Sequence, residues 1–145
     1  MRSYFAYNNL VLSPLCIATS MPQLHSVVTS LASLAPLALA ESWDNVGLLL
    51  GDTDDNIDTI TTCLTVTQDI VKEAIDQHAQ LIVSHHPMMF KPVQRIVTTT
   101  EEGKLLLQLA RHGIAVYSPH TAYDNVTGGI NDQLAQMLEL TDIKP

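Results

Sequence analysis

Apolar residues recur at the three-and-four spacing of an amphipathic helix at Leu24, Val27, Val28, Leu31 and Leu34, and Pro36 then ends the pattern, which predicts a first helix over about 22–35. Two short apolar runs follow, Val46 to Gly51 and Ile57 to Val66, the second rich in Ile, Thr and Val. Both read as strands. The turn-forming stretch Asp52 to Asn56 between them predicts a hairpin. Helical periodicity returns over 68–78 (Ile70, Val71, Ala74, Ile75), 101–111 and 130–140, while Leu81 to Val83 and Ile114 to Tyr117 are fully apolar strands. Short buried strands alternating with helices predict an α/β sheet covered on both faces, with neighbouring strands parallel.

The 145 residues, 46% of them hydrophobic, are enough for one core that buries about 68–70% of the unfolded chain's surface. A net charge of −8 would repel a phosphate backbone, which argues against direct nucleic-acid binding. Cys16 and Cys63 lie far apart with no CxxC spacing, which fits a reducing, cytoplasmic setting. No apolar run approaches the roughly 18–20 residues that span a bilayer. Residues 1–20 carry one Arg, no acid and an apolar stretch broken by Ser13 and Pro14. They read as an extension, disordered or a weak targeting segment, ahead of an α/β lobe over 21–145.

The chemistry concentrates after two strands. Leu81 to Ser84 runs into His85-His86-Pro87, and Ile114 to Ser118 runs into Pro119-His120 and on to Asp124. Ligands of open α/β sheets bind outside the carboxyl ends of strands, so the two loops are expected to build one site. Adjacent histidines on an extended backbone point to opposite sides; His85 and His86 would then serve two neighbouring ions, or one would ligate and the other support, with Asp124 as a bridge. Imidazole and carboxylate without thiolate suit Zn, Mn, Fe, Co or Ni. Two such ions about 3.5–4 Å apart would activate water, making hydrolysis the natural reaction. The local pattern also fits hydrogen-bonded loop histidines and a plain Asp124-Asn125 turn.

Other polar positions read more simply. His25, His78 and His112 are structural or solvated. In Glu41 to Gly47, which holds the single Trp, Ser42 or Asp44 caps the turn, or Asp44 or Asn45 lines the site. Thr127-Gly128-Gly129 offers amides to an anion or is turn chemistry, and Lys91, Arg95 and Lys104 contact a phosphate or form a solvated face.

Four ordered motifs, ESWDNVGLLLGD (41–52), LIVSHHPMMF (81–90), YSPHTAYDN (117–125) and GGINDQLA (128–135), resemble the NIF-three-like family, also labelled GTP cyclohydrolase 1 type 2 homologues. The resemblance implies a three-layer α/β/α sandwich with a mixed, largely parallel sheet, a dinuclear centre and a toroidal homohexamer. It places metal ligands at His85, His86 and Asp124, with His120 as a further ligand or a supporting residue. Family members continue into a second lobe whose His and Glu complete the centre, so this chain is expected to be a fragment or to borrow those ligands. The function implied is a metal-dependent hydrolase acting on a phosphate-bearing or nucleotide-like substrate. The alternative is a non-catalytic, metal-stabilised scaffold that meets protein partners in regulation.

Overall fold

A computed structural model of the chain describes residues 21–144; the expected extension over 1–20 lies outside the described residues. The elements run α1 (Leu24–Leu34), a short 3-10 turn (Leu37–Leu39), β1 (Gly47–Leu50), β2 (Ile60–Cys63), α2 (Gln68–Asp76), β3 (Leu81–Ser84), α3 (Glu101–Arg111), β4 (Ala115–Ser118), α4 (His120–Asn125) and α5 (Ile130–Met137). Thr67 and Thr100 cap α2 and α3 by accepting the amides of Ile70 and Gly103. Glu101 and Glu102 at the start of α3 and Arg111 at its end complement the helix dipole.

The four strands form one mixed sheet in the order β1-β4-β3-β2. β2, β3 and β4 are parallel, and β1 runs antiparallel beside β4. Alternation along the strands sends Ile82 and Val116 to one face, where Val71 and Ala74 of α2 and Leu109 of α3 cover them. Leu81, Ala115 and Tyr117 face the other way, under Leu24, Val27 and Leu31 of α1. Helices on both faces of a mixed sheet give the α/β architecture expected from the sequence.

One expectation fails. β1 and β2 do not form a hairpin; they are the two opposite edges of the sheet. The connection over 51–59 instead crosses beneath β4 and β3, three strand spacings or about 14 Å, well within its reach. The entry to α1 holds it there. Leu24 N–H donates to Asp55 O at 2.8 Å, His25 N–H to Thr53 O at 3.0 Å, and Ile57 N–H to Pro22 O at 2.8 Å. The crossing needs Gly51, whose φ is +139° and where a Cβ would come within 2.6 Å of the Ala115 Cβ.

Two core positions give opposite predictions. Leu109 is fully buried between α3 and the sheet, so Leu109→Ala should cost about 2–5 kcal/mol in urea denaturation. The Tyr117 hydroxyl is buried with no hydrogen-bond partner among the described residues, so Tyr117→Phe should leave stability unchanged or raise it by about 1 kcal/mol. A large loss in Tyr117→Phe would show that the hydroxyl is satisfied after all.

Candidate metal site

Because β3 and β4 are parallel neighbours, their following loops meet at one end of the sheet. His85 and His86 leave β3, and His120 opens α4 two residues beyond β4. Ring nitrogens of these three histidines lie within 4.8 Å of one another. Their ring centroids are 5.1, 5.2 and 5.8 Å apart. The expectation that His85 and His86 diverge is thus corrected. Beyond Ser84 the backbone bends out of the strand, so the alternation of an extended chain no longer separates the two side chains.

The bend is pinned through its backbone. His85 N–H donates to Cys63 O at 3.1 Å and His86 N–H to Leu64 O at 2.8 Å, tying the pair to the end of β2. Serines at the ends of β3 and β4 hold the carbonyls: the Ser84 hydroxyl donates to His86 O at 2.9 Å and the Ser118 hydroxyl to His85 O at 2.6 Å. All four anchors come from the ends of three parallel strands, so the sheet itself sets the position of both rings.

His120 is held by a residue from the far side of the sequence. Both Asp44 carboxylate oxygens lie 2.9 Å from its Nδ1, and the Asp44 side chain is fully buried. The same carboxylate accepts the Thr121 and Asn45 amides and the Thr121 hydroxyl. Burial raises the Asp44 pKa, but the hydrogen bonds from the Thr121 hydroxyl, His120 and the two amides outweigh it and bring the pKa below its ordinary 3.8. An ionised carboxylate only accepts, so His120 carries its proton on Nδ1 and turns the Nε2 lone pair outward. His120 also adopts φ +30°, rare for a residue with a side chain. Asp44 therefore caps, as one reading of the sequence had it, but the turn it caps is the start of α4 and the ring it orients belongs to the site.

His86 is oriented in the same way by Thr65, whose hydroxyl lies 2.7 Å from Nδ1. Asp124 lies one turn along α4 from His120, with its carboxylate 3.7 Å from His85 Nε2. It stands beside His85, outside the group of three imidazoles. His85 Nδ1 is buried without a partner among the described residues. Burial pushes the His85 pKa down and the two neighbouring imidazoles add to this, while Asp124 and Asp44 pull upward; the net result lies below the ordinary 6.5. At neutral pH its imidazole is uncharged, the form that ligates metals. Cys63 lies outside the group of three imidazoles. Three imidazoles can hold a metal ion here, and the orphaned His85 nitrogen suits a ligand-lined site.

The remaining candidates stay apart. Gly128 N–H donates to the Asp132 carboxylate at 2.6 Å and Gly129 N–H to Val126 O at 2.9 Å, so neither amide is open to an anion. Lys104 pairs with Glu101 on its own helix, and His112 Nδ1 contacts Gln108 O. What the sequence left unweighted was Thr65, Ser84 and Ser118; nothing in their local pattern distinguishes them from ordinary strand-end hydroxyls.

Residues 22–145 match the family model described as Duf34/NIF3 (NGG1p interacting factor 3). The chain belongs to this family. It is 39% identical over 116 residues to a GTP cyclohydrolase 1 type 2 homolog of Clostridium perfringens, covering 80% of this chain and 44% of that protein. It is 40% identical over 124 residues to NIF3-like protein 1 of Drosophila melanogaster, covering 85% of this chain and 42% of the relative. The chain thus spans less than half the length of these relatives. The Bacillus cereus protein related to NIF3 superposes with a TM-score of 0.82 at 34% identity, over 86% of this chain and 34% of the other.

The Asp44 arrangement in this Duf34/NIF3 chain makes a pH prediction. Its folded-state pKa lies below the unfolded value of about 3.9, so ionised Asp44 stabilises the fold above that pH. The contribution is lost as pH falls through the folded value. Urea denaturation of the metal-free protein, stepped downward from about pH 4, should therefore show a steeper loss of stability for the wild type than for Asp44→Asn. Parallel curves would contradict the arrangement.

Proposed function

We propose that this chain forms the part of a Duf34/NIF3 protein that holds two divalent metal ions through His85, His86 and Asp124, and that the whole protein hydrolyses a phosphate-bearing or nucleotide-like substrate. The observation that carries the reading is the set of three imidazoles, with nitrogens within 4.8 Å, at the carboxyl ends of neighbouring parallel strands. The donor types, imidazole and carboxylate, fit Zn, Mn, Fe, Co or Ni. Such ions supply Lewis acidity toward a phosphoryl oxygen and a more acidic water. The homohexamer and the completing His and Glu of a second lobe, implied by the resemblance, belong to this same reading.

The chain's own residues divide the remaining work. Thr65 and Asp44 fix the His86 and His120 rings so that neither rotates away from the site. With His120 Nδ1 hydrogen-bonded to the buried Asp44 carboxylate, Nε2 is the ring nitrogen left to the cluster, and Asp44 raises its basicity as a ligand. Asp124, 3.7 Å from His85 Nε2, supplies the carboxylate of the proposed ligand set.

Metal-supplemented protein should turn over a nucleotide or phosphomonoester, and His86→Ala, with unchanged circular dichroism, should lose more than about 100-fold of that turnover. Turnover that survives His86→Ala would refute the assignment. Bound metal without turnover of any phosphate compound would instead establish the scaffold reading.

A further inference from the structure

Beside the imidazoles stands an aromatic pair that the proposed chemistry does not use. Trp43 precedes Asp44 and is 60% exposed; Phe90, in the loop after His86, is 48% exposed. Their rings meet at 5.9 Å and 64°. Each lies 6.5 Å from the His120 ring, at 78° and 87°. The three rings therefore meet edge to face and form a corner, an arrangement that leaves ring face open to solvent. Segment 41–45 carries Trp43 and the loop after β3 carries Phe90, and a hydrogen bond from Asn45 Nδ2 to Met89 O at 2.5 Å ties the two together.

Phe90 of this corner also lines a groove of about 370 Å³ together with Asn45, Met89, Lys91, Pro92 and Val93, a volume suited to a small molecule. Lys72 and Lys104 are paired with carboxylates on their own helices, whereas Lys91 has no carboxylate partner among the described residues. In a chain of net charge −8, an unpaired cation in a groove that shares Phe90 with the ring corner favours a ligand that brings its own negative charge.

We infer that Trp43 and Phe90 form a stacking subsite for the planar heteroaromatic ring of an anionic, nucleotide-class ligand, with Lys91 facing its anionic group. The inference rests on the metal-site reading for the ligand's reacting end, but the subsite is built from residues outside that set. Both rings determine which ligands are held, because stacking is available to every planar base and absent for a bare sugar phosphate.

Trp43 is the single tryptophan of the chain, so its fluorescence reports this subsite alone. Titrating the metal-loaded protein with guanosine 5′-monophosphate should quench the emission saturably, and ribose 5-phosphate should not. Phe90→Ala should weaken the nucleotide by about tenfold or more, with unchanged circular dichroism. Lys91→Ala should weaken the nucleotide and leave guanosine unchanged. No saturable quenching, equal binding of ribose 5-phosphate, or an unchanged affinity in Phe90→Ala would overturn the subsite. Metal content, measured on the same samples, separates the two readings: metal without quenching removes the subsite alone, and quenching without metal removes the metal site alone.

Discussion

A buried carboxylate with no exposed surface must find a hydrogen-bond donor for each of its acceptor directions, because an uncompensated charge in that position costs several kcal/mol. Asp44 meets this constraint with groups from two distant segments: its neighbour Asn45, and His120 and Thr121 at the head of α4. Thr121 also accepts the Glu41 amide at 3.0 Å, so the contact is reciprocal. The approach to β1, the turn after β4 and the His120 ring are thereby fixed together. The φ of +30° at His120 persists because these contacts over-determine it.

This contact explains why the edge strand sits where it does. β1 pairs antiparallel with β4, with Gly47 opposite Ser118, so the residues just before β1 lie beside those just after β4. A hairpin between β1 and β2 would have carried Asp44 to the opposite edge, away from His120. The three parallel strands play the complementary part. Their carboxyl ends present Cys63, Leu64, Ser84 and Ser118 to the backbone of His85 and His86, which leaves those side chains free. The cluster is thus held by a parallel core on one side and an antiparallel edge on the other.

The sequence revealed the parts governed by period and by strand ends. α1, α2 and α3 follow the helical spacing of their apolar residues, and the two His-bearing loops follow the rule that sites form beyond strand carboxyl ends. It hid what depends on pairing. Asp52 to Asn56 has the composition of a hairpin turn, yet Leu24 and His25 donate to its Asp55 and Thr53 carbonyls, and Pro22 accepts the Ile57 amide just beyond it. The short helix α4 carries no helical apolar stripe and read as loop, because its cap is the tertiary carboxylate of Asp44. His85 and His86 seemed divergent because the bend after Ser84 depends on hydroxyls whose partners no local pattern reveals.

Three imidazoles, prepositioned by backbone clamps and a buried carboxylate, can hold a metal ion. The most direct test is the metal content per chain of untagged protein purified without chelator, measured by elemental analysis beside the His85→Ala/His86→Ala double variant. The wild-type chain should carry about one to two ions and the variant should lose them. Less than about a tenth of an ion per wild-type chain, in protein with intact secondary structure, would contradict the metal site.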